Sequence, residues 1–94
     1  MRKNDKDRTM QTVQNIKTIP LKEVINLRVH SKAIVYVLGS FFEVEKGKGY
    51  IIFKTGEYRI VSMVFTRLVN TMSKIGYVLS VIYLDSKEVW FVKR

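Results

Sequence analysis

The chain has 94 residues, no cysteine, and 17 Lys and Arg against 8 Asp and Glu, for a formal net charge of +9 and a pI near 10.0. This length makes a single domain that buries roughly two-thirds of its unfolded surface, with no room for a separate catalytic domain. Without cysteine there are no disulfides or thiolate metal sites, one histidine leaves a zinc site short of ligands, and no apolar run reaches the ~18 residues of a membrane-spanning helix.

The first residues, 1–11, are charged and lack the apolar stretch of a signal peptide. The expectation is a soluble, cytoplasmic protein, nucleoid-associated if DNA is its partner. Residues 1–19 read as a basic amino-terminal tail, mobile over about 1–12, with a short extended lead-in at 13–21. Residues 20–94 read as one domain, which Pro20 opens.

Val24, Ile25, Leu27 and Val29 alternate imperfectly and are rich in β-branching, which predicts a strand over 22–29. The rival reading starts a helix at Pro20, where proline suits the first turn. His30 and Ser31 break the pattern, with Ser31 as an N-cap. Ile34, Val37, Leu38, Phe41 and Val44 then recur at helical spacing. Gly47 supplies a left-handed stop, and Lys46 and Lys48 complement the dipole of that helix.

Tyr50–Lys54 is a short, nearly continuous apolar strand. After the turn at Thr55 and Gly56, Glu57 opens a second helix. Its stripe is Tyr58, Val61, Val64, Phe65, Leu68, Met72 and Ile75, and Gly76 ends it. Tyr77–Leu84 and Glu88–Lys93 form a hairpin around Asp85, Ser86 and Lys87. Trp90 and Phe91 point to opposite faces of its second strand. The predicted fold is a small α/β two-layer sandwich in the order β-α-β-α-β-β, with a mixed four-stranded sheet and two helices.

Several residues carry a resemblance to a known family. Val29-His30-Ser31-Lys32 precedes Tyr36-Val37-Leu38, where the family has a strand, a small basic turn and a helix containing Tyr-Val-Leu. Ile51-Ile52-Phe53-Lys54-Thr55-Gly56 matches its next strand and glycine turn. Asn70 and Met72 match the spacing in its second helix, and Val92-Lys93-Arg94 its basic last strand. Over about residues 22–94 the chain resembles the Alba family of archaeal chromatin and RNA-binding proteins. It departs from the family in the run Gly56–Ser62 and in the short turn 85–87, where the family has a basic arm. The resemblance implies nucleic-acid contacts at Lys32, with His30 beside it, and at Arg59. It also implies a homodimer through the second helix, at Phe65, Leu68, Asn70 and Met72.

Charge alone points the same way, because a basic domain of this size has the footprint of a polyanion binder. Arg28, Lys54, Lys87, Lys93 and Arg94 extend the candidate surface. No catalytic constellation is expected. His30 and Ser31 are adjacent, so they do not converge on one atom, and the glycines at 47 and 49 lack phosphate-loop spacing. No cofactor or metal is expected, and no membrane partner. The predicted function is largely sequence-independent binding to DNA or RNA phosphates as a dimer. The alternative is a non-enzymatic protein-assembly module of the viral or cell-division type.

Overall fold

A computed structural model describes residues 16–56 and 60–94. The tail expected over 1–12, and Glu57, Tyr58 and Arg59, lie outside the described residues. The order is a 3-10 helix at Leu21–Asn26, then β1 (Lys32–Val37), β2 (Ser40–Lys46), β3 (Tyr50–Lys54), the helix α1 (Ser62–Lys74), β4 (Tyr77–Tyr83) and β5 (Glu88–Lys93). The five strands form one sheet in the order β1-β2-β3-β5-β4, with every neighbouring pair antiparallel.

The expected order β-α-β-α-β-β and its mixed four-stranded sheet are therefore incorrect. The first predicted helix, from Ser31 to Val44, is the β1–β2 hairpin. Its buried residues are Ala33, Val35 and Val37 on β1, then Phe42 and Val44 on β2, which is alternation and not a helical stripe. The chain reverses at Leu38 and Gly39, which have φ of 50° and 87°. Two consecutive left-handed residues suit the twist of a tight hairpin. Residues 22–29 are not a strand either. Pro20 caps the 3-10 helix, of which only Val24 is buried, so the rival helical reading came closer.

Other elements match their expectation. β3 spans Tyr50–Lys54, and β4 and β5 form the carboxy-terminal hairpin. The helix α1 is present but begins at Ser62, after Val61 at its N-cap position. β3 and β4 each pair antiparallel with β5. They are therefore parallel to each other, with β5 inserted between them. No neighbouring strands of the sheet are parallel, so the expected mixed sheet is replaced by an antiparallel one. Before the 3-10 helix, Thr18 makes an isolated parallel bridge with Ile34, so residues 17–19 run along the β1 edge as an extended lead-in.

One face of the sheet is the core. Phe42, Phe53 and Phe91 meet edge to face, with ring centroids 5.9 and 5.5 Å apart. Val64, Leu68 and Met72 of α1, and Val24 of the 3-10 helix, join them in one cluster. A bulge between Leu79 and Val81 shifts the register of β4. It keeps Val81 opposite Trp90 and Ile82 opposite Val89, so the two faces of the hairpin stay distinct beyond it.

Two positions near the β2–β3 turn are fixed by chemistry the sequence did not advertise. The Lys46 ammonium donates to the carbonyls of Ile25 and Leu27, at 2.8 and 3.0 Å. It satisfies acceptors that the end of the 3-10 helix leaves open. Gly47 is buried, and a Cβ there would overlap the ring of Tyr50. It is thus a site of close packing, not a left-handed helix stop. Left-handed backbone in this turn falls instead on Gly49, with φ of 83°.

Leu38 is exposed and held in a conformation that disfavours a branched residue by roughly 1–2 kcal/mol. Leu38→Asn should therefore stabilise the domain by about 0.5–1 kcal/mol, measured as a rise in melting temperature. An unchanged or lower value would mean the turn carries no such strain. Gly47→Ala should destabilise by about 1–3 kcal/mol, because the Tyr50 ring must move. Chemical denaturation reads it, and a neutral result would show that the ring gives way freely.

Candidate nucleic-acid interface

The antiparallel order brings one end of every strand to a common rim. Lys32 begins β1 opposite Glu45 near the end of β2, and Tyr50 begins β3 opposite Val92 near the end of β5. Tyr77 begins β4 opposite Lys93, and α1 finishes at Lys74 just before it.

Backbone hydrogen bonds join the loops at this rim. The His30 N–H donates to the Lys46 carbonyl at 2.7 Å, and the Lys46 N–H to the Ser31 carbonyl at 3.1 Å. The Lys93 N–H donates to Gly49 at 2.9 Å, and the Arg94 N–H to Gly76 at 3.0 Å. The Arg94 guanidinium also donates to Ser73. Four segments, 28–31, 46–49, 73–76 and 93–94, are thereby held side by side.

These segments contain Arg28, His30, Lys48, Lys74, Lys93 and Arg94, all exposed, and no Asp or Glu. Five strands at the usual interstrand spacing give the rim a length of roughly 19 Å. A line of cations without interleaved carboxylates presents a continuous positive potential to a polyanion.

The sequence-derived candidates divide across the molecule. Arg28, His30, Lys93 and Arg94 come together at the rim. Lys54 and Lys87 lie at the opposite end of the sheet, where the Thr55 N–H donates to the Lys87 carbonyl at 3.3 Å. Arg59 lies outside the described residues. Lys32 begins β1, not a helix, so no helix N-terminus adds to its affinity for phosphate. Its ammonium is 3.7 Å from the Glu43 carboxylate, so part of its charge is already answered, weakly, as in any exposed pair. Ser31 caps no helix, and its hydroxyl donates to the Arg28 carbonyl at 2.6 Å.

Lys48 and Lys74 were not among the candidates. In the sequence Lys48 only complements the dipole of a predicted helix, and Lys74 carries no functional reading. Neither has a local signal, because the topology alone places them beside Lys93.

The proposed dimer residues also take specific places. Leu68 and Met72 are fully buried in the core of the single chain, and Phe65 packs against that core. They have little or no surface left to offer a second copy. Asn70 is exposed. Exposed apolar side chains include Met63 on α1 and Val61 at its N-cap position, and Leu84 after β4.

Among the described residues, no group of three or more His, Asp or Glu could hold a metal ion. No described helix is long and apolar enough to cross a membrane. No protein-family model, no curated protein and no solved structure matches the chain.

Proposed function

We propose that this chain binds nucleic acid through phosphates along the basic rim, without reading base sequence. The observation that carries the reading is the uninterrupted row of exposed cations from Arg28 to Arg94, built by four segments that contain no carboxylate. Phosphates bound there release condensed counterions, which makes binding strongly salt-dependent. No element offers the side chains of a base-reading motif to a groove, so contacts position the strand and do not select it. The reading rests on where the charge lies. It does not use the element order that carried the resemblance to the Alba family, since the chain has a different one.

A second reading, as a protein-contact module, is favoured by one observation. β4 is an edge strand without a charged residue, and most of its side chains are exposed. The other edge, β1, is partly covered by residues 17–19 of the chain itself. An uncovered apolar edge is a template for strand addition, and a second copy would meet no like charge along it.

Fluorescence anisotropy with labelled DNA and RNA over roughly 50–300 mM salt should give a log–log slope of about −3 to −6. The combined variant Lys48→Ala, Lys74→Ala and Lys93→Ala should lower affinity at least about ten-fold and flatten the slope by about 2 to 3. The pair Lys54→Ala and Lys87→Ala, at the far end, should stay within about two-fold of wild type. Equal losses from both sets would remove the rim from the proposal. For the edge, sedimentation should show concentration-dependent dimers that Val78→Lys with Leu84→Lys converts to monomers. A wild-type chain that is monomeric at every concentration would end the second reading.

A further inference from the structure

The face of the sheet opposite the core contains a second feature beside the rim. The buried residues of α1 and of the 3-10 helix join the inner-face cluster, and no described helix covers the outer face. Over β3, β5 and β4 the two rows of that face nearest the rim have no charge, and Glu88 and Lys54 lie in the third row with Tyr83. The face presents Tyr50 and Ile52, Trp90 and Val92, and Val81 and Tyr83.

The three rings there are arranged, not scattered. Tyr50 stacks on Trp90 with centroids 5.2 Å apart and planes 15° apart. Tyr83 meets Trp90 edge to face at 5.9 Å. The indole N–H of Trp90 donates to the Glu88 carboxylate at 3.0 Å, which fixes the ring's orientation. The missing Cβ of Gly47 lets the Tyr50 ring lie against the backbone. Tyr83 is 48% exposed, so its ring has a side open to a ligand.

We infer that this outer face is a base-stacking platform, and that the preferred ligand is therefore single-stranded nucleic acid. The inference rests on the phosphate-binding reading and deepens it. Alternate residues on one face of a strand are about 6.8 Å apart. Tyr50 thus lies in the row that borders the rim, and Trp90 in the next. Tyr50 is held between Gly47 and Trp90 and supports the platform from behind, so a strand whose phosphates follow the rim can lay unpaired bases on the open side of Trp90 and on the exposed Tyr83. A duplex cannot, because its bases are already stacked inside. Charge also selects this half of the face. Glu43 and Glu45 lie on β2 and repel a backbone from the β1–β2 half, while the carboxylate of the other half, Glu88, lies at the end of β5 away from the rim and accepts from Trp90.

The chain has one tryptophan, so its emission reports on this face alone. Oligothymidine of about fifteen nucleotides, near the upper site size of a single-strand-binding domain, is titrated into the full chain. Trp90 emission and the anisotropy of a labelled strand are followed together. Emission should be quenched along the same isotherm as the anisotropy. Tyr83→Ala should weaken single-strand binding about ten-fold while leaving duplex binding unchanged.

Binding seen by anisotropy, with no quenching and no effect of Tyr83→Ala, overturns the platform and leaves the rim reading standing. No binding of any nucleic acid at low salt overturns both. If Trp90 emission shifts as the protein alone is concentrated, and ignores the oligonucleotide, the face is a contact between copies and the inference fails.

Discussion

The structure depends on the contact of three phenylalanines across neighbouring strands. Phe42 on β2, Phe53 on β3 and Phe91 on β5 meet edge to face beneath α1. Such pairs add about 0.5–1.5 kcal/mol each beyond the area they bury. Their larger effect is on register. A slip of one residue would turn each ring to the outer face and bring Glu43, Ile52 or Trp90 inward. With the register held, Lys46 is opposite Ile51 and Tyr50 opposite Val92. The strand ends then lie flush, and the loops that carry the rim cations fall in line. The charged surface is thus a consequence of how the core packs.

The two faces of the sheet divide the work by polarity. The inner face is closed by one amphipathic helix, whose residues Val64, Leu68 and Met72 fill the space above the rings. One helix covers only part of a five-stranded sheet, and the 3-10 helix with Val24 covers more of it. The Lys46 ammonium ties that second cover to the end of β2. This lysine is basic and near the rim, yet its hydrogen bonds are to backbone carbonyls. Charge near a surface is therefore not the same as charge available to a ligand, and Lys46 and Lys48, two residues apart, fall on opposite sides of that distinction.

The sequence made some elements legible and concealed others for identifiable reasons. β3, β4 and β5 were readable because their apolar and aromatic residues come in short runs bounded by turn formers. The β1–β2 hairpin was not, because residues 33–45 fit two periods at once. Ile34, Val37, Leu38, Phe41 and Val44 satisfy a helix, and Ala33, Val35, Val37, Phe42 and Val44 satisfy two strands. Gly39 decides between them, since two strands need a residue free to adopt positive φ where a helix interior would be weakened by it. The density of β-branched residues on β1 points the same way. In the site, Arg28, His30, Lys93 and Arg94 were legible as cations. That Lys54 and Lys87 belong to the far end was not, because sequence spacing does not state which strand ends coincide. Leu68 and Met72 read from the sequence as interface candidates because an apolar stripe does not state which of its residues the chain's own sheet will cover, and it covers these two fully.

The rim differs in charge pattern from the outer face of the sheet. On the outer face of the sheet, Lys32 has Glu43 at hand, and Lys54 stands between Glu43 and Glu88 in the register. At the rim, like charges stand together with no carboxylate in the segments that hold them. That concentration opposes the compact state through mutual repulsion, so it is not explained by stability. A polyanion reverses the sign of the effect. Anything that binds the folded chain and not the unfolded one adds to its stability in proportion to the logarithm of ligand over dissociation constant. The same cations that weaken the free domain would strengthen the bound one. The fold supports this because the loops at the rim are joined mainly through their backbones, with Arg94 on Ser73 as a side-chain link among the rim cations. The backbone hydrogen bonds leave the charges outward.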